Sequence, residues 1–316
     1  MNITFIHDFD TGFLSATLKP HLQALGHDVK ILQTLITQLE GKHSFHIDMH
    51  LGSLKAESDY QIIENILKDT DYFILRCVTD TTLRALNVPK YANHTNAIFK
   101  VHGTDLRQAG QPYSLRTWKI DWSKHPLTVV GCRDYSLLPL YRAPTITHIE
   151  RPCAFDTFPP KRTKKPPFVM HSPTNMQRKG SQALLERFKQ GGSIEFLVLC
   201  GVTRQEVLKA KSQASYHIDF LDTWVHGPYG MNTVEAWYYQ IPVWGKITHM
   251  DLAMIPELAQ LIHPFHIETI AEEIHNYIPD RKQLRNAKQY ALETHDSRKI
   301  AQQYVDLLQA IGENNE

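Results

Sequence analysis

The sequence predicts an α/β protein with two domains, and three observations support this prediction. Short apolar segments typical of buried parallel strands alternate with amphipathic helical segments along most of the 316 residues. Loops containing glycine follow several of these strands, as expected where a parallel strand turns into a helix. Residues 151–167 are abruptly rich in proline and basic side chains, which is typical of a domain boundary. We therefore expect a first domain over residues 1–154 and a second over residues 155–296.

The first domain opens with a strand–helix–strand unit. Residues 2–7 are an apolar strand, residues 13–25 a helix and residues 29–32 a second strand. Pro20 lacks a backbone N–H group, so it should kink this helix or mark a delayed start. Gly12 lies in the loop between strand and helix, where it suits a phosphate-binding turn and an ordinary tight turn equally well.

The rest of the first domain is predicted as further strands with short helices between them. Strands are expected at residues 45–49, 72–77, 97–101, 127–131 and 145–150, and helices at residues 60–67 and 79–86. The segment HGTDLR, residues 102–107, directly follows one of these strands. Ligands of open parallel sheets gather beyond the carboxyl ends of the strands, so His102 is a candidate site residue. A histidine that ends a strand and bonds the backbone would give the same pattern.

The second half of the chain is predicted to repeat this alternation. Strands are expected at residues 168–171, 194–200 and 216–221, and helices at residues 182–189, 204–213, 251–261, 268–277, 280–293 and 297–311. Arg178 and Lys179 closely precede the first of these helices. Cations at a helix N-terminus suit a phosphate clamp, because the exposed N–H groups of the first turn also attract anions. Two solvated loop charges would produce the same sequence.

Residues 226–245, HGPYGMNTVEAWYYQIPVWG, form the most informative stretch. A loop with Gly227 and Gly230 leads into a helix that Asn232 or Thr233 can cap and whose first turn should hold Glu235. The free N–H groups and the positive end of the helix dipole suit a diphosphate. A carboxylate there would repel phosphate, so Glu235 is better suited to the hydroxyl groups of a ribose. The stretch therefore predicts a nucleotide site.

The same residues resemble the donor-site segment of retaining GT-B glycosyltransferases of the GT4-like group, G-x-x-G-x-x-x-x-E-A-x-x-x-x-x-P-V. Glu235 falls on the second glutamate of the family's E-x7-E pair, and Gly227 stands where the first is expected. HSPTNMQRKGS, residues 171–181, resembles the family's H-x-P-[ST] and K-G-[TS] motifs. Lys179 matches the lysine that binds the donor diphosphate, whereas Thr174 replaces its usual arginine partner. HGTDLR resembles the family's H-G-S-D-[LVI]-R.

This resemblance implies the GT-B fold, in which two Rossmann-like domains face a central cleft and the C-terminal helix, here about 297–316, crosses back to the first domain. It implies retaining transfer of a sugar from a UDP- or GDP-linked donor, with no metal or other cofactor. His102, Lys179 and Glu235 are the implied catalytic residues, and Asp105 and Arg107 the implied acceptor-binding residues. The implied donor-binding residues are Gly12, Thr174, Asn175, Arg178, Lys179, Gly227, Tyr229, Gly230, Met231, Asn232, Thr233 and Glu235.

Composition, hydropathy and cysteine spacing bear on the protein's partners, its localisation and its possible metal sites. A net charge of +1 argues neither for nor against an acidic polymer as partner, and 42% hydrophobic residues supply two ordinary cores. No apolar run is long enough to cross a bilayer and the first residues lack a signal pattern, so we expect a cytoplasmic protein. The 4 cysteines include no C-x-x-C pair, which indicates buried free thiols. His43, His46 and His50 are only loosely spaced for a metal site.

Several acceptors and two rival classes are compatible with the sequence. The acceptor could be a glycan, a lipid intermediate or a hydroxymethylated base in DNA. Residues 107–124 mix basic and aromatic side chains, which suits any of these and equally suits an ordinary loop. The departures at Gly227 and Thr174 keep a non-catalytic nucleotide- or sugar-binding relative open as an alternative. A UDP-sugar 2-epimerase of the same fold would need further catalytic acids, for which there is no signature.

Overall fold

The structure is a computed structural model of the 316-residue chain. It describes residues 1–7, 14–33, 49–50, 57–76, 86–93, 95–100, 128–131, 146–162, 166–173, 176–177, 179–191, 194–219 and 229–313. These residues form two compact units. Unit 1 contains the described residues up to Pro152 together with residues 297–313, and unit 2 contains those from Cys153 to Asp296.

Unit 1 is built on a parallel sheet whose seven described strands run in the order β3-β2-β1-β4-β5-β6-β7. The strands are β1 (Asn2–His7), β2 (Asp28–Gln33), β3 (Met49–His50), β4 (Tyr72–Arg76), β5 (Ala97–Lys100), β6 (Thr128–Gly131) and β7 (Ile146–His148). The strand order reverses between β1 and β4, so the switch point at which such sheets bind ligands lies beyond their carboxyl ends.

Helices alternate with the strands in both units, as the sequence predicts. They are α1 (Leu14–Ala24), α2 (Glu57–Lys68), α3 (Ser181–Gly191), α4 (Arg204–Lys211), α5 (Met231–Tyr238), α6 (His249–Met254), α7 (Leu258–Leu261), α8 (Ile270–Asn276), α9 (Arg281–His295) and α10 (Ser297–Glu313). Within the described ranges, none is long and apolar enough to span a membrane.

The C-terminal helix α10 packs on unit 1, which confirms the predicted return to the first half of the chain. Its buried residues recur every three or four positions, and this stripe, with Tyr304 and Leu308 fully buried, joins the core formed by α1 and the sheet. Ser297 Oγ lies 2.7 Å from His21 Nε2, which ties the first turn of α10 to α1.

Unit 2 is built on a parallel sheet with the described strand order β11-β10-β8-β9. The strands are β8 (Phe168–His171), β9 (Glu195–Val198), β10 (Tyr216–Ile218) and β11 (Val243–Trp244). Trp237 of α5 is fully buried, donates from its indole N–H to the carbonyl of Leu261 at 3.0 Å, and packs edge-on against Tyr290 of α9. These contacts fix α5 above the sheet, and α5 carries most of the predicted donor site.

Three expectations about the elements are corrected by the structure. The single helix predicted at residues 251–261 is two helices, α6 and α7, because Pro256 forces the preceding Ile255 out of the helical region, to φ −135° and ψ 78°. Pro20 lies well inside α1, so the alternative that it marks a delayed start is wrong, while the kink stays a prediction. Cys153 is buried as expected, but Cys200 is exposed. Most of the helix predicted at residues 79–86 lies outside the described residues.

Candidate functional site

The candidate site lies at the N-terminus of α5, where the glycine loop ends. Gly230 is the N-cap residue, with extended backbone at φ −106° and ψ 175°, and no side chain of its own to cap the helix. The expectation that Asn232 or Thr233 caps the helix is therefore wrong, because both lie inside its first turn. The cap is supplied instead by Asp219, which follows β10 and accepts from the Gly230 N–H at 2.9 Å and from Thr233 Oγ1 at 2.5 Å.

Lys179 meets this cap from the loop before α3. Its ammonium lies 3.0 Å from Asp219 Oδ1, and the two residues are only 7% and 4% exposed. A methyl group at Gly230 would lie 3.7 Å from Lys179 Nζ and 3.2 Å from Asp219 Oδ2, so the glycine leaves room for this close approach. The structure thus brings together Lys179, Gly230 and Thr233, three of the residues expected to bind the donor.

Asp219 carries a negative charge in this arrangement. Burial alone would raise the pKa of its carboxyl, but the Lys179 ammonium, the Thr233 hydroxyl and the Gly230 N–H stabilise the ionised form and hold the pKa well below its usual range. The sequence-based expectations give Asp219 no role. An acid placed directly after a buried parallel strand, where side chains face the ligand crevice, is the signal that points to it.

Two backbone donors at the start of α5 stay available. Met231 and Asn232 make no backbone N–H hydrogen bond within the described part of the chain, whereas the N–H of Thr233 bonds Gly230 O at 3.0 Å. The first N–H groups of a helix lack partners inside the helix, and together with the helix dipole they attract anions. The first turn of α5 therefore keeps the character of an anion site beside the Lys179–Asp219 pair.

Glu235 lies on the second turn of α5, not the first as expected, because the helix already begins at Met231. Its Oε2 is 2.6 Å from Lys211 Nζ and its Oε1 is 3.3 Å from Arg204 Nη2. Lys211 is fully buried and Glu235 is 4% exposed. Glu235 is therefore part of a buried ion pair in this state of the protein, and its role towards a ribose stays a prediction.

Asn232 connects the start of α5 to its neighbours in unit 2. Its side-chain N–H group donates to Ser172 O at 2.6 Å, and its Oδ1 accepts from Ser172 Oγ and from Lys211 Nζ, both at 2.9 Å. Ser172 directly follows β8, so Asn232 fixes the helix start against the carboxyl end of that strand. The side chain of Asn232 thus positions the first turn of the helix.

Two buried histidines, His171 of β8 and His217 of β10, lie in the strands next to the site. His171 Nδ1 is 2.8 Å from the carbonyl oxygen of Ile218 and its Nε2 is 2.8 Å from Ser181 Oγ. Because a carbonyl only accepts, we assign the proton to Nδ1 and the acceptor role to Nε2. Burial lowers the pKa of His171 and, together with the nearby Lys211, lowers that of His217 well below its usual value. Both rings are therefore neutral at pH 7.

Tyr229 and Met231 flank the cap. The Tyr229 hydroxyl lies 3.1 Å from His295 Nε2 and 3.3 Å from the Tyr290 hydroxyl, so it binds the end of α9. Met231 is the first residue of α5 and packs half-buried against the core of unit 2. Neither contact tests their predicted roles in donor binding, which stay predictions.

The other predicted site residues lie outside the described residues, so their roles stay predictions. They are Gly12, His102, Asp105, Arg107, Thr174, Asn175, Arg178 and Gly227. The loosely spaced histidines His43 and His46 lie there too. Among the described side chains, no group of His, Cys, Asp or Glu is arranged to hold a metal ion.

The sequence matches no known protein family and no curated protein, but its fold is similar to solved structures. A glycosyltransferase from Rickettsia africae is 13% identical, covers 98% of each chain and has a TM-score of 0.65. An α-glucosyltransferase in complex with UDP is 12% identical, covers 98% of this chain and 99% of its own, and has a TM-score of 0.66. A Listeria monocytogenes protein assigned as a UDP-N-acetylglucosamine 2-epimerase is 12% identical, with a TM-score of 0.58.

These similarities establish the fold class. The parallel sheets of the two units, the alternation of strands and helices, and the full-length match to glycosyltransferase structures together define the GT-B fold. The fold class that the sequence predicts is therefore confirmed. At 12–13% identity the likeness shows the fold alone.

Proposed function

We propose that the protein transfers a sugar from a nucleoside-diphosphate sugar to a hydroxyl group of an acceptor. The observation that carries this proposal is the position of the Lys179 ammonium beside Gly230, at the N-terminus of α5 and beyond the carboxyl edge of the unit 2 sheet. Diphosphate sites are typically built from a cation, the unpaired N–H groups at a helix start, and a glycine where the backbone comes closest to the ligand.

The proposed catalysis depends on where negative charge develops during the transfer. When the bond between the sugar and the diphosphate breaks, negative charge builds up on the departing diphosphate. Lys179 and the N–H groups of Met231 and Asn232 are held in place by contacts inside unit 2, so they stabilise this charge without reorganising. Interactions that are stronger in the transition state than in the ground state accelerate the reaction as well as binding the donor.

Glu235 is proposed to accept hydrogen bonds from the ribose hydroxyl groups. Each carboxylate oxygen has two acceptor positions, and Lys211 and Arg204 occupy one on each. The remaining positions suit ribose hydroxyls. Retention of configuration, His102 beside the reacting sugar, and Asp105 and Arg107 at the acceptor belong to the proposal through the GT4-like resemblance.

The donor and acceptor classes are drawn from the solved structures of the same fold. An α-glucosyltransferase is known in complex with UDP and DNA containing an HMU base, and Staphylococcus aureus TarM in complex with UDP and α-GlcNAc-glycerol. We therefore propose a UDP-linked donor, and either a modified DNA base or a glycan-type hydroxyl as acceptor. A lipid-linked hydroxyl is a further candidate that the GT4-like resemblance implies. The epimerase-like neighbour makes UDP-sugar epimerisation the second candidate.

A panel of UDP- and GDP-sugars tests the proposal. Release of nucleoside diphosphate is measured with DNA containing hydroxymethylated bases, with a glycan and with a lipid-linked saccharide as acceptors. Transfer should occur with one donor, and K179M should reduce it by at least about 100-fold, because it removes a fixed donor to the leaving group. The matched control is K189M, an exposed lysine of α3. Epimerised donor without transfer would favour the second candidate, and an absence of nucleotide binding would refute both.

A further inference from the structure

The N-terminus of α5 already holds an anion that belongs to the protein itself. Asp219 accepts hydrogen bonds from the Gly230 N–H at 2.9 Å and from the Thr233 hydroxyl, and its other oxygen lies 3.0 Å from Lys179 Nζ. Lys179 and the backbone N–H groups at this helix start are expected from the sequence to bind a diphosphate, and Thr233 is among the residues expected to bind the donor. A structural carboxylate therefore stands within the shell of groups expected to receive the phosphates.

Asp219 is poorly placed to be an ordinary surface cap. It is 4% exposed and comes from the end of β10, a strand in the middle of the sheet, and not from the residue beside the helix. A carboxylate so far from water keeps its full electrostatic influence on neighbouring charges, because solvent screens it little. A phosphate bound to the free N–H groups of Met231 and Asn232 would lie close to this charge and share Lys179 with it.

We propose that Asp219 is a positioning residue that sets how tightly the site holds a nucleoside diphosphate. Its carboxylate orients the Lys179 ammonium at the start of α5 and at the same time repels the ligand's phosphates. The inference rests on the proposed function. It predicts that the site stabilises the transition state more than the bound donor, because the attraction between Lys179 and the diphosphate is strongest when negative charge is building up. It also predicts that the nucleoside diphosphate product is released readily.

The change D219N separates these two effects. The amide keeps an oxygen that accepts from the Gly230 N–H and the Thr233 hydroxyl, but its charge is gone and Lys179 loses its ionic partner. The charge that repels the ligand's phosphates is then absent. We expect D219N to bind UDP at least about tenfold more tightly than the unchanged protein, and to bind inorganic pyrophosphate more tightly in the same proportion, since both effects act on charge. Affinity for uridine, which has no phosphate, should not change.

The experiment is calorimetric titration of UDP, pyrophosphate and uridine into three proteins: the unchanged chain, D219N and D251N. Asp251 is another buried carboxylate of unit 2, and it caps α6 through Thr248, so D251N controls for the general loss of a buried negative charge. If D219N does not fold, D219S removes the same charge with a smaller side chain and should give the same order of affinities. The catalytic consequence is slower turnover in D219N with a lower KM, because product release and positioning of Lys179 both suffer.

Two results would overturn the inference alone, and a third would overturn the proposed function as well. Equal or weaker UDP binding by D219N and D219S would show that the carboxylate does not oppose the phosphates. An equal gain for uridine would show that the effect is not one of charge. Binding of UDP by the unchanged protein with no gain in the variants refutes the inference alone, whereas no binding by any of the proteins refutes the proposed function as well.

Discussion

At the scale of single residues, the site depends on charges that are buried and paired. Glu235 neutralises Lys211, which is fully buried, and also contacts Arg204. We predict that E235A lowers the free energy of unfolding by about 3–5 kcal/mol, because it leaves the buried Lys211 ammonium without its anionic partner. E235Q keeps an oxygen that accepts from Lys211 and should cost about half as much.

Urea unfolding followed by circular dichroism measures both variants. A ribose role for Glu235 is then tested with E235Q at a temperature where it is fully folded, by its affinity for UDP relative to inorganic pyrophosphate. A loss confined to UDP supports ribose contact. If E235A unfolds at the same urea concentration as the unchanged protein, the buried ion pair contributes nothing and the structural interpretation of this residue is wrong.

Lys179 has a structural partner as well as a proposed catalytic role. The change K179M leaves Asp219 buried with two neutral hydrogen bonds but no cation, so we expect a loss of about 3 kcal/mol in stability. In the double variant K179M/D219N the buried carboxylate that would lack its cation is neutralised as well, and most of this loss should be recovered. A double-mutant cycle of unfolding free energies measures the coupling, and strictly additive losses would contradict the pair.

At the scale of elements, the close packing of α10 against β4 of unit 1 depends on Gly312. Alanine favours a helix over glycine by up to about 1 kcal/mol, but a methyl group at Gly312 would overlap the hydroxyl oxygen of Tyr72 in β4. We predict that G312A destabilises the unchanged protein. In a Y72F background the nearest remaining ring atom is 3.4 Å away, so the same change should be stabilising.

This prediction is tested by the melting temperatures of the unchanged protein, G312A, Y72F and the double variant. The sign of the G312A effect should reverse when it is measured in the Y72F background. The same sign in both backgrounds would mean that α10 moves away from β4 and that Gly312 does not limit their distance. Y72F alone removes only a hydroxyl and serves as the reference for the double change.

Local patterns in the sequence predict the elements well but the site less well. Strands such as β1 and β4 are buried on both faces, so they appear as mainly apolar runs without regular alternation. Sequence alone assigns the cap of α5 wrongly because Asp219 lies 11 positions before Gly230, and only the fold brings them together. The pairing of Lys211 with Glu235, 24 positions apart, is equally non-local. The break at Pro256, by contrast, is a local signal that the predicted helix over residues 251–261 overlooks.

At the scale of the whole molecule, two buried and two half-buried histidines make stability depend on pH. Burial is the largest cause that lowers the pKa of each of four described histidines, His27, His171, His217 and His263. In the unfolded chain a histidine has a pKa of about 6.5. Below that pH the unfolded state therefore binds more protons than the folded state, so stability is lost as the pH falls from about 6.5. Well above pH 7 the unfolded chain's histidines are also deprotonated, so these residues contribute little pH dependence there.

The expected result is a melting temperature that is flat between pH 8 and pH 7 and falls steadily towards pH 5. His217 should contribute most, because its ring is fully buried, neither ring nitrogen has a hydrogen-bond partner in the described residues, and Lys211 adds to the cost of a positive charge. H217L removes this titrating group without breaking a hydrogen bond, so it should flatten the fall. H249L, at an exposed position of α6, should leave the fall unchanged. An equal pH dependence in H217L and the unchanged protein would show that His217 takes up no proton when the protein unfolds.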